Sequence, residues 1–62
     1  MPFVTVKWFP RSKELMAETA KEITDVIVKV TGVGADHVYV FFEDLPRDHM
    51  GHAGELASER KS

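Results

Sequence analysis

Met1-Pro2-Phe3-Val4-Thr5-Val6-Lys7-Trp8-Phe9-Pro10 opens the chain and decides how the remainder can fold. Val4, Val6 and Trp8 recur at every second position, with Thr5 and Lys7 between them. That period of two marks a half-buried β-strand. Pro10 ends the strand and keeps Phe9 extended. A proline at position 2 suits a strand start, where it costs no ladder hydrogen bond. It also admits a chemical reading. An initiator methionine is usually trimmed before proline, which would leave Pro2 as a free secondary amine with its geometry fixed by the ring. Such an amine can move protons if its surroundings lower its pKa toward neutrality. Position alone leaves the strand-start and general-base readings both open.

Working outward, Ser12 suits a helix N-cap, and Glu14 lies in the first turn, where the helix dipole favours an anion. A helix over 13–31 is predicted. Met16, Ala20, Ile23, Ile27 and Val30 step by four and three into one apolar stripe, widened by Val26. Glu14, Glu18, Glu22, Asp25 and Lys29 form its polar face, with Asp25 and Lys29 spaced for an i,i+4 pair. Gly32 is the expected left-handed stop and Gly34 continues the turn. Val38-Tyr39-Val40-Phe41-Phe42 is almost continuously apolar, as in a strand covered on both faces. Strand, helix and strand make a right-handed βαβ unit with parallel strands. Leu45-Pro46-Arg47-Asp48 reads as a turn. Gly51 and Gly54 argue against a regular helix in the tail, so a loop or ribbon that packs on a neighbouring subunit is expected. The fold class is therefore α+β, a single βαβ unit with residues 1–62 as one domain.

Composition narrows the rest. A chain of 62 residues with no cysteine has neither disulfide staples nor a cysteine zinc site. A domain this short buries only about 60% of its unfolded-state surface, and unstapled chains of this size often gain stability by oligomerising. Two parallel strands do not stand alone as a sheet either. Both arguments predict a homo-oligomer. A net charge of −2 argues against a nucleic-acid partner. No apolar run approaches the ~18 residues of a membrane span, and no signal-peptide pattern precedes the first strand. A soluble, cytoplasmic protein without membrane partners is the expectation.

Head, length and tail taken together resemble the 4-oxalocrotonate tautomerase-type members of the tautomerase superfamily. The resemblance rests on Met1-Pro2, on Pro10-Arg11-Ser12 before the helix, on the βαβ layout, and on the tail His49-Met50-Gly51-His52-Ala53-Gly54-Glu55-Leu56-Ala57-Ser58. It covers nearly the whole chain and implies a homohexamer that works without cofactor or metal, in a setting such as aromatic degradation. It also implies that the mature N-terminal proline is the general base, taking a proton from a dienol and returning it to a distant carbon. A free amine must be neutral to accept a proton; an apolar pocket and nearby arginines both push its pKa down. Arg11 matches the family arginine that binds a substrate carboxylate and draws electron density toward it. A cation just before a helix N-terminus is mildly disfavoured by the dipole, which is a hint that Arg11 has a use.

Two positions depart from the best-known members. Tyr39 stands where they carry a second arginine, and Met50 where they carry an aromatic residue. Tyr39 can donate one hydrogen bond but offers no fixed cation, so both enolate stabilisation and forked carboxylate recognition weaken. Tyrosine also suits a half-buried sheet as simple filler, and both readings of Tyr39 stay open. Met50 keeps the pocket apolar and adaptable. A 2-hydroxy-dienoate or aryl enolpyruvate with one carboxylate then fits better than the dicarboxylate 2-hydroxymuconate. Two alternatives are a non-catalytic oligomeric scaffold of the same fold, and a hydratase or dehalogenase of unsaturated acids using the same proline. His49, His52 and Glu55 step by three as metal ligands could, but Gly51 and Gly54 interrupt a helix there, so no metal site is expected. His37 reads as a loop residue. Arg47, Arg60 and Lys61 read as surface charges, with Arg47 a weak substitute for the missing strand-two cation.

Overall fold

The computed structural model of the chain describes residues 2–59. Met1, Arg60 and Lys61 lie outside the described residues. β1 (Phe3–Trp8) leads into α1 (Lys13–Thr31), and β2 (Tyr39–Asp44) returns parallel to β1. The tail forms a hairpin of β3 (Gly51–His52) and β4 (Glu55–Leu56). Single 3₁₀ turns occupy Ala35–His37, Arg47–His49 and Ala57–Glu59. His37 thus belongs to a short helical turn rather than to open loop. The expected βαβ unit with a terminal ribbon is the fold found. No helix among the described residues is long and apolar enough to cross a membrane.

The helix boundaries follow from their caps. The Ser12 hydroxyl accepts the Leu15 N–H at 3.2 Å. Gly32 takes φ +81° and donates its N–H to the Val28 carbonyl, a left-handed stop that a glycine adopts without steric cost. Asp25 pairs with Lys21 at 3.1 Å, not with Lys29 as the spacing suggested. The contact holds the Lys21 ammonium above its usual pKa, chiefly through the Asp25 hydrogen bond. Both partners are exposed, so the pair contributes little to stability.

β1 and β2 align from Phe3 opposite Tyr39 to Trp8 opposite Asp44. Val4, Val6 and Trp8 share the half-buried face with Val40 and Phe42. Opposite them α1 turns Met16, Ala20, Ile23 and Ile27 inward, also half-buried. The apolar stripe is wider than the sheet that receives it. Val26 is 56% and Val30 75% exposed. For Val30 the reason is dimensional: 19 helical residues run about 28 Å, whereas six strand residues run about 20 Å, so the last helical turn overhangs. Val26 instead flanks the stripe, lining an open cleft with Val4, Ile23 and Ile27. The second strand also differs from expectation. It begins one residue later, continues through Glu43 and Asp44, and is covered on one face only.

Phe3, Tyr39 and Phe41 occupy the open face of the sheet. Among the described residues no side chain reaches full burial. The Cα radius of gyration is 14.9 Å, where a compact chain of this length gives about 10 Å. The single chain holds two half-covered layers and no closed core.

The tail hairpin turns through Ala53 and Gly54, with φ of +54° and +84°. Positive φ at both central residues is what a type I′ hairpin turn demands. The Ala57 N–H donates to the Met50 carbonyl at 2.8 Å and holds the hairpin base against the Arg47–His49 turn. Ala53 bears the steric penalty of a left-handed L-residue, so Ala53→Gly is expected to stabilise the protein by about 0.5–1 kcal/mol. Gly32→Ala meets open space yet forces alanine left-handed, and should destabilise by about 1 kcal/mol. Urea midpoints at one fixed protein concentration check both signs.

Candidate active site

Pro2 sits half-buried at the head of β1, and its carbonyl accepts the Tyr39 N–H at 3.1 Å. That bond continues the parallel ladder past Phe3 and sets the two chain segments side by side. The Tyr39 ring stacks on Phe3 with centroids 5.3 Å apart, and Phe3 continues to Phe41 at 6.3 Å. An aromatic ladder therefore begins immediately beside Pro2. Tyr39 is 41% exposed, and its ring lies with Phe3 and Phe41 on the open face of the sheet.

Arg11 belongs to the other end of the sheet. About 20 Å of extended chain separates Pro2 from Trp8, and the Arg11 guanidinium lies over the Trp8 ring, 5.9 Å from its centroid. Trp8 in turn stacks on Phe42 at 5.1 Å and 12° between planes. Its indole Nε1 is sealed from solvent and has no hydrogen-bond partner among the described residues. The Leu45 N–H donates to the Trp8 carbonyl, which brings the following turn to this same end. On that turn Arg47 lies 4.0 Å from the Phe9 ring centroid, and half-buried Met50 follows directly. Neither Arg11 nor Arg47 has an acidic partner among the described residues.

The four residues singled out from sequence thus fall into two groups within one chain. Pro2 and Tyr39 meet at the strand heads; Arg11 and Met50 lie with the strand tails. Sequence patterning alone does not single out Trp8, which reads as an inward strand position, or Phe3, which reads as a strand former, while Arg47 reads as a surface charge and a weak substitute for the strand-two cation. Nothing in period-two patterning distinguishes a ring that packs from a ring that carries a cation. Of the tail residues once weighed as metal ligands, His52 and Glu55 face each other across the hairpin while His49 lies in the preceding turn. No group of three among the described residues is disposed to hold a metal ion.

With this geometry in view, the sequence profile of the family described as tautomerase enzyme matches residues 2–60. The chain belongs to the tautomerase family. It is 43% identical over 61 residues to a probable tautomerase of Ralstonia nicotianae, covering 95% of this chain and 92% of that one. It is 32% identical over 60 residues to the 2-hydroxymuconate tautomerase of Bacillus subtilis, covering 95% and 97%. A crystal structure of a 4-oxalocrotonate tautomerase homologue superposes with a TM-score of 0.90 at 30% identity, over 97% of this chain and 100% of the other. This tautomerase is accordingly an isomerase built on the βαβ fold that its sequence resembled.

Proposed function

We propose that this tautomerase interconverts the enol and keto forms of a 2-hydroxy-dienoate or aryl enolpyruvate carrying a single carboxylate. Pro2, freed as an amine by loss of Met1, removes the enol proton and returns it to carbon as general base and acid. Arg11 holds the carboxylate, while Tyr39 and Met50 shape the pocket. One cation of forked geometry suits one carboxylate, and Tyr39 in the second position supplies a hydroxyl donor instead of a charge. The observation that supports this reading most directly is the half-buried Pro2 at the strand head, bonded through its carbonyl to the Tyr39 backbone.

The separation of Pro2 from Arg11 gives the proposal its architecture. Among the described residues β1 is hydrogen-bonded to β2 along one side only, which leaves its other edge open to a second copy. Two identical strands related by a twofold axis pair antiparallel. That pairing carries Pro2 of one copy toward the Trp8-to-Arg11 end of the other, so each site is completed across the strand edge. The open aromatic face of Phe3, Tyr39 and Phe41, together with the exposed Val26 and Val30, supplies apolar surface for further copies. A homohexamer built from three such pairs, with the tail hairpin packed on a neighbour, accounts for the absence of a closed core in one chain.

The intact mass of the purified protein should be one methionine below that of the full sequence; retention of Met1 would make the Pro2 nitrogen an amide and remove the base. Pro2→Ala should lower enol–keto turnover by about 10²-fold or more with the circular dichroism unchanged. Full turnover in that variant overturns the mechanism. Because an ammonium cannot accept a proton, kcat/KM should fall as pH drops through the amine pKa. Arg11→Ala should raise KM for carboxylate substrates and lower kcat. Mixed assemblies of Pro2→Ala and Arg11→Ala chains, refolded together, should recover activity that neither variant has alone. Recovery requires sites shared between copies, and its absence rejects that sharing. A parallel panel of halogenated acrylates should show little turnover if tautomerisation is the principal reaction.

A further inference from the structure

Three observations converge on the end of β1 that carries Arg11. The indole N–H of Trp8 is sealed from solvent without an acceptor among the described residues. The Arg11 guanidinium lies over the same ring, exposed and without an acidic partner among the described residues. Phe42 stacks on Trp8 at 5.1 Å and holds the indole plane in place. A buried donor without an acceptor is costly, whereas a hydrogen bond to a charged acceptor is among the stronger kinds. Indole offers a donor only, so the group that satisfies it must be an acceptor. A guanidinium beside it selects an anionic one.

We propose that Trp8 is a second carboxylate-binding residue of the site. Its Nε1–H donates to the substrate carboxylate that Arg11 attracts. In the free protein the guanidinium rests over the indole, held by the ring quadrupole. An arriving carboxylate draws the guanidinium off the ring, uncovers the N–H, and accepts from both groups. Arg11 supplies the charge and Trp8 the direction, since its ring is braced by Phe42 while the Arg11 side chain is free to move. One carboxylate then receives two donors from residues three apart in sequence, and the missing strand-two cation is offset at this end of the site. The inference rests on the proposed role of Arg11 as the carboxylate anchor and is independent of what Pro2 does.

Trp8 is the chain's sole tryptophan, so the ¹⁵N-labelled protein has a single indole N–H resonance. Titration of the intact, assembled protein with trans-cinnamate, an unreactive aryl monocarboxylate, should move that resonance downfield and saturate. Cinnamyl alcohol, which has the same ring but no charge, should leave it in place. In steady-state assays Trp8→Phe should weaken cinnamate inhibition by about tenfold or more and leave inhibition by cinnamyl alcohol within about twofold. An indole resonance that ignores bound cinnamate overturns the proposal. So does a Trp8→Phe protein that weakens both ligands alike or only loosens subunit assembly, because the acceptor would then belong to a neighbouring chain. The wild-type titration stands even if Trp8→Phe does not fold. The indole titration follows binding alone, so its failure leaves Pro2 chemistry standing, and a failure of Pro2 chemistry leaves the titration intact.

Discussion

The parallel ladder between β1 and β2 is the constraint from which the remainder of this tautomerase follows. Parallel strands require a crossover, and here the crossover is a helix longer than the strands it spans. Two strands present a face roughly as wide as one helix, so α1 covers one side of the sheet and, among the described residues, the other stays open. The ladder also sets the positions of the proposed site residues. Pairing Phe3 with Tyr39 puts Pro2 against the start of β2, and pairing Trp8 with Asp44 brings the Arg47–His49 turn and Met50 to the Arg11 end. Shifting the register by one residue would invert every side chain across the sheet. Pro2 would then lose Tyr39 as its neighbour.

Half-covered layers would link stability to function in the proposed assembly. A domain of this size has little surface to bury even when compact, and this chain is markedly more extended than a compact one. Apolar rings that would be costly in a monomer, Phe3 and Phe41 above all, become useful if other copies cover them. Sites assembled between copies exist only in the folded oligomer. In the assembly proposed above, the same surface would exclude water from the substrate, the condition that lowers the pKa of an amine base and strengthens a guanidinium–carboxylate pair.

The Arg11–Trp8–Phe42 stack shows how charge is placed in a protein with few buried groups. An arginine on an exposed loop before a helix has many conformations open to it. Resting on an aromatic ring limits them at small energetic cost, and Arg47 on Phe9 repeats the device on the adjacent residue. Both rings come from consecutive positions at the end of β1, where the strand gives way to Pro10 and no longer must satisfy a ladder.

Much of this was legible in the residues themselves. Period-two alternation over Val4, Val6 and Trp8, the Ser12 cap and the Gly32 stop are local signals, governed by backbone sterics and by hydrogen bonds a few residues apart. They determined the element boundaries, including a helix from Lys13 to Thr31. The tail's glycines likewise ruled out a helix, and the pattern of head, length and tail pointed to the family. Other features depended on how far elements reach. Val30 has the right spacing for the core yet remains 75% exposed, because helix and strand differ in rise per residue and the last helical turn runs past the sheet. Asp25 stands four residues from both Lys21 and Lys29, and it is Lys21 that pairs with it. That Arg11 lies over the Trp8 ring, and that the indole N–H is sealed without a partner among the described residues, are consequences of through-space geometry. A one-dimensional pattern records which faces are apolar; only the folded sheet decides which ends meet.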